Sequence, residues 1–194
     1  MLSSACIEPP PPHDLVFAIG PPLRASLARL LGTDSRETVE KALAHYRERF
    51  ADVGLFENRP YDGIAEALGA ISGSGRLLVV ATSKPRLYAQ RIVDHFALGE
   101  HFSHVHGSEL DGTREDKSEL ITHILGHHGI EAGNAVMIGD RGEDMRAARH
   151  HGVRAMGVLW GYGTREELEA HGAQHLCASP RDLAGALASA HAPD

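Results

Sequence analysis

The stretch V136-MIGDRGEDMRAARHHGVRAMGVLWGY-G163 decides how the rest of the chain is read. It opens on an apolar run, Val136, Met137 and Ile138, and passes through an acidic turn into a short helical pattern. A second apolar run and the glycine-rich loop WGYG follow. Asp140 stands directly after the first run, and Asp144 falls four residues later, in the first turn of the next helix. Two carboxylates where a buried strand gives way to a helix suit a divalent cation. DRGED does not fit a calcium-binding EF-hand loop, because Gly142 occupies a ligand position and no Gly follows Asp144. A Mg²⁺ ion that keeps several waters fits two carboxylates better. The competing reading is that acidic residues in a first helical turn stabilise the helix without any metal.

Working outward, helices alternate with short apolar runs from Ile64 onward, the signature of an α/β fold with a doubly wound parallel sheet. Ile64, Leu68 and Ile71 mark one helix, and Leu77–Ala81 reads as a strand covered on both faces. Thr82-Ser83-Lys84-Pro85 then opens a helix carrying Tyr88, Ile92 and Phe96. A short strand is expected near His104–His106, then a helix with Leu120, Ile121, Ile124 and Leu125. Thr164 with Glu167 caps another helix, which Gly172 ends, and Ser179-Pro180 starts the last, to about Ala190. Before Ile64 the pattern differs. Leu23, Leu27, Leu30 and Leu31, then Val39, Ala42, Leu43, Tyr46 and Phe50, form two helical stripes, a hairpin over about 22–51. Asp34 with Glu37 resembles its capping arrangement. The expected organisation is a helical segment, 1–57, and an α/β core, 58–194.

Composition narrows the function classes. The chain has 194 residues, 42% of them hydrophobic, and a net charge of −7, which argues against nucleic acid as a partner. No apolar run approaches a membrane span, and MLSSACIEPPPP lacks the basic and apolar regions of a signal peptide. Cys6 and Cys177 are too few for a disulfide framework, so a cytoplasmic protein with reduced thiols is expected. Among 14 histidines, His123 and His127 share a helix face at ligand spacing. A solvated face is the better reading there, since no HExxH pattern or Cys/His cluster supports zinc.

Three polar sites lie at or near strand ends, where doubly wound sheets bind ligands. At Thr82-Ser83, hydroxyls and a helix N-terminus favour an anion, although taken alone an ordinary N-cap explains them. Lys117 stands at the start of its helix, where a cation opposes the dipole, so a phosphate partner or a snorkelling surface lysine would explain it. Together with Asp140/Asp144 the set suits phosphoryl transfer: a hydroxyl and an ammonium hold oxygens, and a metal screens the carboxylates. A phosphoacceptor receiver domain carries similar groups in another order, with its lysine last and no helical hairpin.

On these residues the chain resembles a phosphatase of the haloacid dehalogenase superfamily, of the phosphoglycolate phosphatase-like branch. VVATSKP (79–85) is similar to that family's second motif, DKSELI (116–121) to its third and VMIGDRGEDMRAA (136–148) to its fourth. RPYDGIAEAL, GSELDGTREDK and GVLWGYGTREEL are also similar to this branch. The resemblance implies that Thr82 and Lys117 are catalytic, that Thr82, Ser83 and Lys117 bind the phosphate, and that Asp140 and Asp144 hold Mg²⁺. It implies a helical cap before residue 57, within which IGPPLRASL (19–27) makes Arg24 a substrate contact. The implied ligand is a small phosphorylated metabolite, phosphoglycolate or a nucleoside monophosphate as for a 5′-nucleotidase, and the implied assembly a monomer or homodimer.

The family's first motif, a strand ending in DxDGT that supplies an aspartate nucleophile, does not occur in the chain. The only DGT, Asp111–Thr113, follows the helical segment, has Glu109 at the nucleophile position and no long strand before it. By resemblance the missing strand is central, which would leave a slot between the strands ending at Ala81 and Ile138. A truncated enzyme is the favoured explanation; a non-catalytic phosphate-binding or partner-binding relative is the other.

Overall fold

The structure is a computed structural model, and it describes residues 10–189. The chain divides into two compact units, 1–58 and 59–194.

The first unit is helical. After a 3-10 turn at Pro12–Ala18, helix α1 (Leu23–Leu31) ends at Gly32, which takes the left-handed conformation at φ 60° that a side chain disfavours. Helix α2 (Arg36–Asp52) follows. Its cap is Ser35, whose side chain accepts the Thr38 N–H, one residue later than the Asp34/Glu37 arrangement expected. Leu27 of α1 packs on Val39 and Leu43 of α2, so the two leucine-rich stripes face each other.

Among the described residues the second unit holds five strands, paired in parallel, and six α-helices, matching the α/β expectation. Helix α3 (Ile64–Ser72) precedes strand β1 (Val79–Pro85), which pairs with β2 (His104–Ser108). Strands β3 (Val136–Gly139), β4 (Arg154–Val158) and β5 (His175–Cys177) form a second sheet in that order. The alternation of side chains along β4 builds two cores. Met156 and Val158 meet Ala67 and Ile71 of α3 together with Leu183 and Leu187 of α8 (Leu183–Ser189). On the opposite face, Ala155 and the preceding Val153 meet Ile121 of α5 (Lys117–His128), Met145 of α6 (Gly142–His150) and Leu168 of α7 (Arg165–Ala170). Met145, Met156 and Leu168 are fully buried, each stabilising the fold by about 1.5–3 kcal/mol.

Strand β1 starts two residues later than the apolar run suggests and continues through Pro85, so helix α4 begins only at Arg86 (Arg86–His95). Thr82 and Ser83 therefore lie in the strand and do not cap a helix. The cause is a β-bulge: the β1/β2 register shifts between Thr82 and Pro85, with Thr82 opposite Gly107 and Pro85 opposite Ser108. The Ser108 hydroxyl fastens the bulge by donating to the Ser83 carbonyl at 2.9 Å. Gly107 permits it, because a Cβ there would collide with the Lys84 carbonyl and the Arg86 backbone. Strand β5 carries no sequence signal; it is three residues long and held by β4. The final helix is described to Ser189, and Ala190 lies outside the described residues.

The two sheets do not join. Among the described residues β1 pairs only with β2, and β3 only with β4. No residue of β1 is fully buried, and Ile138 in the middle of β3 is 36% exposed. An isoleucine within a parallel strand is ordinarily covered.

Candidate active site

The groups that converge do so at the carboxyl ends of β1 and β3. Lys117 is the first residue of α5, and its cap is Asp116, whose carboxylate accepts the Ser118 and Glu119 N–H groups. That cap points the Lys117 side chain back past the helix start. Its ammonium donates to the Ala81 carbonyl of β1 at 3.1 Å and pairs with Asp144 Oδ1 of α6 at 3.0 Å. One lysine thus joins β1 to α6, with Thr82 the next residue along β1. The pair is mostly shielded from water, so removing either partner would leave an uncompensated charge, at a cost of about 3–5 kcal/mol.

Asp140 follows the last residue of β3 and precedes α6. Its Oδ2 accepts the Tyr162 N–H at 2.8 Å, and its carbonyl accepts the Gly163 N–H at 2.9 Å. The WGYG loop is therefore a wall of the site. A Cβ at Gly161 would collide with the Asp140 side chain, one at Gly163 with the Asp140 carbonyl, and one at Gly139 with the Asp144 carboxylate. Asp144 Oδ2 accepts the Arg141 N–H at 3.3 Å, so Asp144 also stabilises the start of α6 in a way that needs no metal, the competing reading for an acid in a first helical turn. Glu167 of α7 closes the back, accepting from Gly142 N–H at 2.7 Å and Arg141 Nε at 3.0 Å. Burial raises the Glu167 carboxyl, but these two hydrogen bonds and the Arg141 charge outweigh it and hold the group below its ordinary value.

The donor set fits a hard cation. Asp140 Oδ1 receives no hydrogen bond from the described residues, and each bonded carboxylate oxygen keeps a further lone pair. The neighbouring Glu143 has a buried Oε2 without a partner. Oxygen donors of this kind, at a strand end, suit Mg²⁺.

Thr82 Oγ1 accepts the Lys84 N–H at 3.2 Å across the bulge. Burial pushes the Lys84 ammonium below its ordinary value. Arg24 lies in the helical unit, where Nε meets Glu40 at 2.6 Å. Tyr61 and Tyr162 went unnoticed in the sequence. Burial, then the charges of Tyr162 and Asp140, pushes the Tyr61 phenol up. RPYDGIAEAL drew notice only as a phrase similar to the phosphoglycolate phosphatase-like branch, with no role for Tyr61. The DGT at Asp111–Thr113 is a tight loop, in which Glu109 N–H donates to the Thr113 carbonyl and the Glu109 carboxylate pairs with Arg114.

A family model described as haloacid dehalogenase-like hydrolase matches residues 2–158. A 5′-nucleotidase of Pseudomonas aeruginosa is 46% identical over 183 residues, covering 94% of this chain and 82% of that protein. The tyrosine-protein kinase PtkA of Mycobacterium tuberculosis is 35% identical over 162 residues, covering 83% of this chain and 55% of that protein. The crystal structure of a predicted phosphatase from Clostridium acetobutylicum superposes with a TM-score of 0.92 at 34% identity, covering 97% of this chain and 87% of that one. Motifs, fold and relatives agree: the chain belongs to the haloacid dehalogenase-like hydrolases, and its place among them is with the phosphatases, the phosphoric monoester hydrolases.

Proposed function

We propose that these residues form the phosphate-holding and Mg²⁺-holding half of a phosphomonoesterase site whose substrate is a nucleoside 5′-monophosphate. The observation that carries this is the position of Lys117, between the Ala81 carbonyl and the Asp144 carboxylate. That lysine draws the second, third and fourth motifs into one place. Lys117 and the Thr82 hydroxyl hold phosphoryl oxygens, with Ser83 beside them. Asp140 and Asp144 hold Mg²⁺, which supplies Lewis-acid screening of the phosphoryl charge. Arg24 is proposed as a substrate contact from the helical unit, acting as a cap. The nucleotide is preferred to phosphoglycolate because the 46%-identical relative is a 5′-nucleotidase.

The attacking carboxylate is proposed to come from a strand ending in DxDGT that pairs with the free edges of β1 and β3. The open edges and the exposed Ile138 support it. A strand pairing there would satisfy the backbone groups of both edges and cover the isoleucine. The aspartate would attack phosphorus, expel the alcohol and form an aspartyl-phosphate, which water then hydrolyses.

The test compares two chains in Mg²⁺: the 194 residues alone, and the same chain preceded by an apolar strand ending in DxDGT. Release of inorganic phosphate from nucleoside 5′-monophosphates and phosphoglycolate is measured. Turnover by the extended chain, lost in Asp140→Asn, supports the reading. A folded extended chain that binds nucleotide but releases no phosphate favours the non-catalytic relative. Faster release from phosphoglycolate would overturn the substrate assignment.

A further inference from the structure

Histidines from two elements meet on the side of the second unit where α5 ends. Strand β2 contributes His104 and His106, and the C-terminal half of α5 contributes His123, His127 and His128. Because α5 runs back along β2, the helix turn bearing His127 and His128 comes to lie over the strand. The His106 ring centroid is 5.1 Å from that of His128, 5.4 Å from His127 and 5.5 Å from His123. His104 lies 4.8 Å from His128. Ligand nitrogens of His106, His127 and His128 all fall within 4.8 Å of one another. His106 and His128 face each other through Nε2 at 2.9 Å.

We infer that His106, His127 and His128 form a binding site for a zinc-class divalent cation that ties the C-terminal end of α5 to strand β2. Three imidazoles without a carboxylate are a borderline-soft set, which favours Zn²⁺, Co²⁺, Ni²⁺ or Cu²⁺ over Mg²⁺. Nitrogens about 2.0–2.1 Å from a tetrahedral ion stand roughly 3.3 Å apart, so the 2.9 Å pair needs only a small opening. One of that pair now donates through Nε2–H; it passes to the Nδ1–H tautomer when Nε2 turns to the ion. His106 is 6% exposed, which fixes its ring, while His127 and His128 on the helix surface can adjust. Burial and the surrounding imidazoles push His106 down to about 4, so it is neutral at physiological pH. A water completes the coordination. The site lies far from the acidic pair along α5: Lys117 and His127 are ten residues apart, about 15 Å of helix.

The test is a titration of Co²⁺ into the full chain without a histidine tag, with excess Mg²⁺ present, read by visible d–d absorption. One Co²⁺ per chain, with an intense band displaced by Zn²⁺, is expected. The band should be lost in His127→Asn/His128→Asn, whose positions on the helix surface leave the fold intact by circular dichroism, and kept in Asp140→Asn. Absence of a saturable band, its survival in the double variant, or its loss in Asp140→Asn would overturn the proposal.

Discussion

A methyl group added at Gly161 would occupy the space of the Asp140 side chain. Gly161→Ala must therefore push that carboxylate aside or open the loop, and overpacking of this kind costs about 1–3 kcal/mol. The expected result is Mg²⁺ affinity lower by roughly 10–100-fold, the range for groups that orient a metal ligand, in a chain that remains folded. Calorimetric titration with Mg²⁺, beside urea denaturation, checks it. At this scale the sequence was most informative. Asp140, Asp144 and Lys117 could be singled out as candidates because their spacing from an apolar run or a helix start is local. Tyr61 was not, because Asp140, whose charge helps push its phenol up, stands far along the chain from it. The meeting of His106 with His128 was hidden for the same reason, and helix-face spacing alone read as solvated.

Among the elements, α6 and α7 are joined through Glu167, which takes hydrogen bonds from Arg141 and Gly142 at the start of α6. Its carboxyl is held below the ordinary value of 4.5, so it contributes stability that is complete above about 4.5 and is lost as pH falls through the lower, folded value. Glu167→Gln should lower stability at neutral pH by about 1–2 kcal/mol, the worth of a charge-assisted hydrogen bond. The gap between variant and parent should shrink below pH 4.5. Urea denaturation from pH 7 to pH 3 measures both; a gap independent of pH would contradict the assignment. Helices were legible wherever an apolar stripe met a cap, as with Thr164 and its bond to the Glu167 N–H. The start of α4 was not, since the bulge that keeps Thr82–Pro85 in β1 is set by Gly107 and Ser108 on another strand. Strand β5 is too short to show a period, and its pairing with β4 alone defines it.

At the level of the whole molecule, the order of motifs along the chain was enough to give an α/β fold. The structure adds a link that the order of motifs does not show: the side chain of Lys117 joins β1, through the Ala81 carbonyl, to Asp144 of α6. Among the described residues no helix is long and apolar enough to cross a membrane. The central claim is that the phosphate-holding and metal-holding half of a phosphatase site is complete in these residues. Titration of inorganic phosphate into the chain, with and without Mg²⁺, tests it most directly. The account predicts saturable phosphate binding that requires Mg²⁺ and disappears in Asp140→Asn and in Lys117→Met, with both variants folded by circular dichroism. Phosphate binding that ignores Mg²⁺ or survives both substitutions, or no binding by the folded chain, would contradict it.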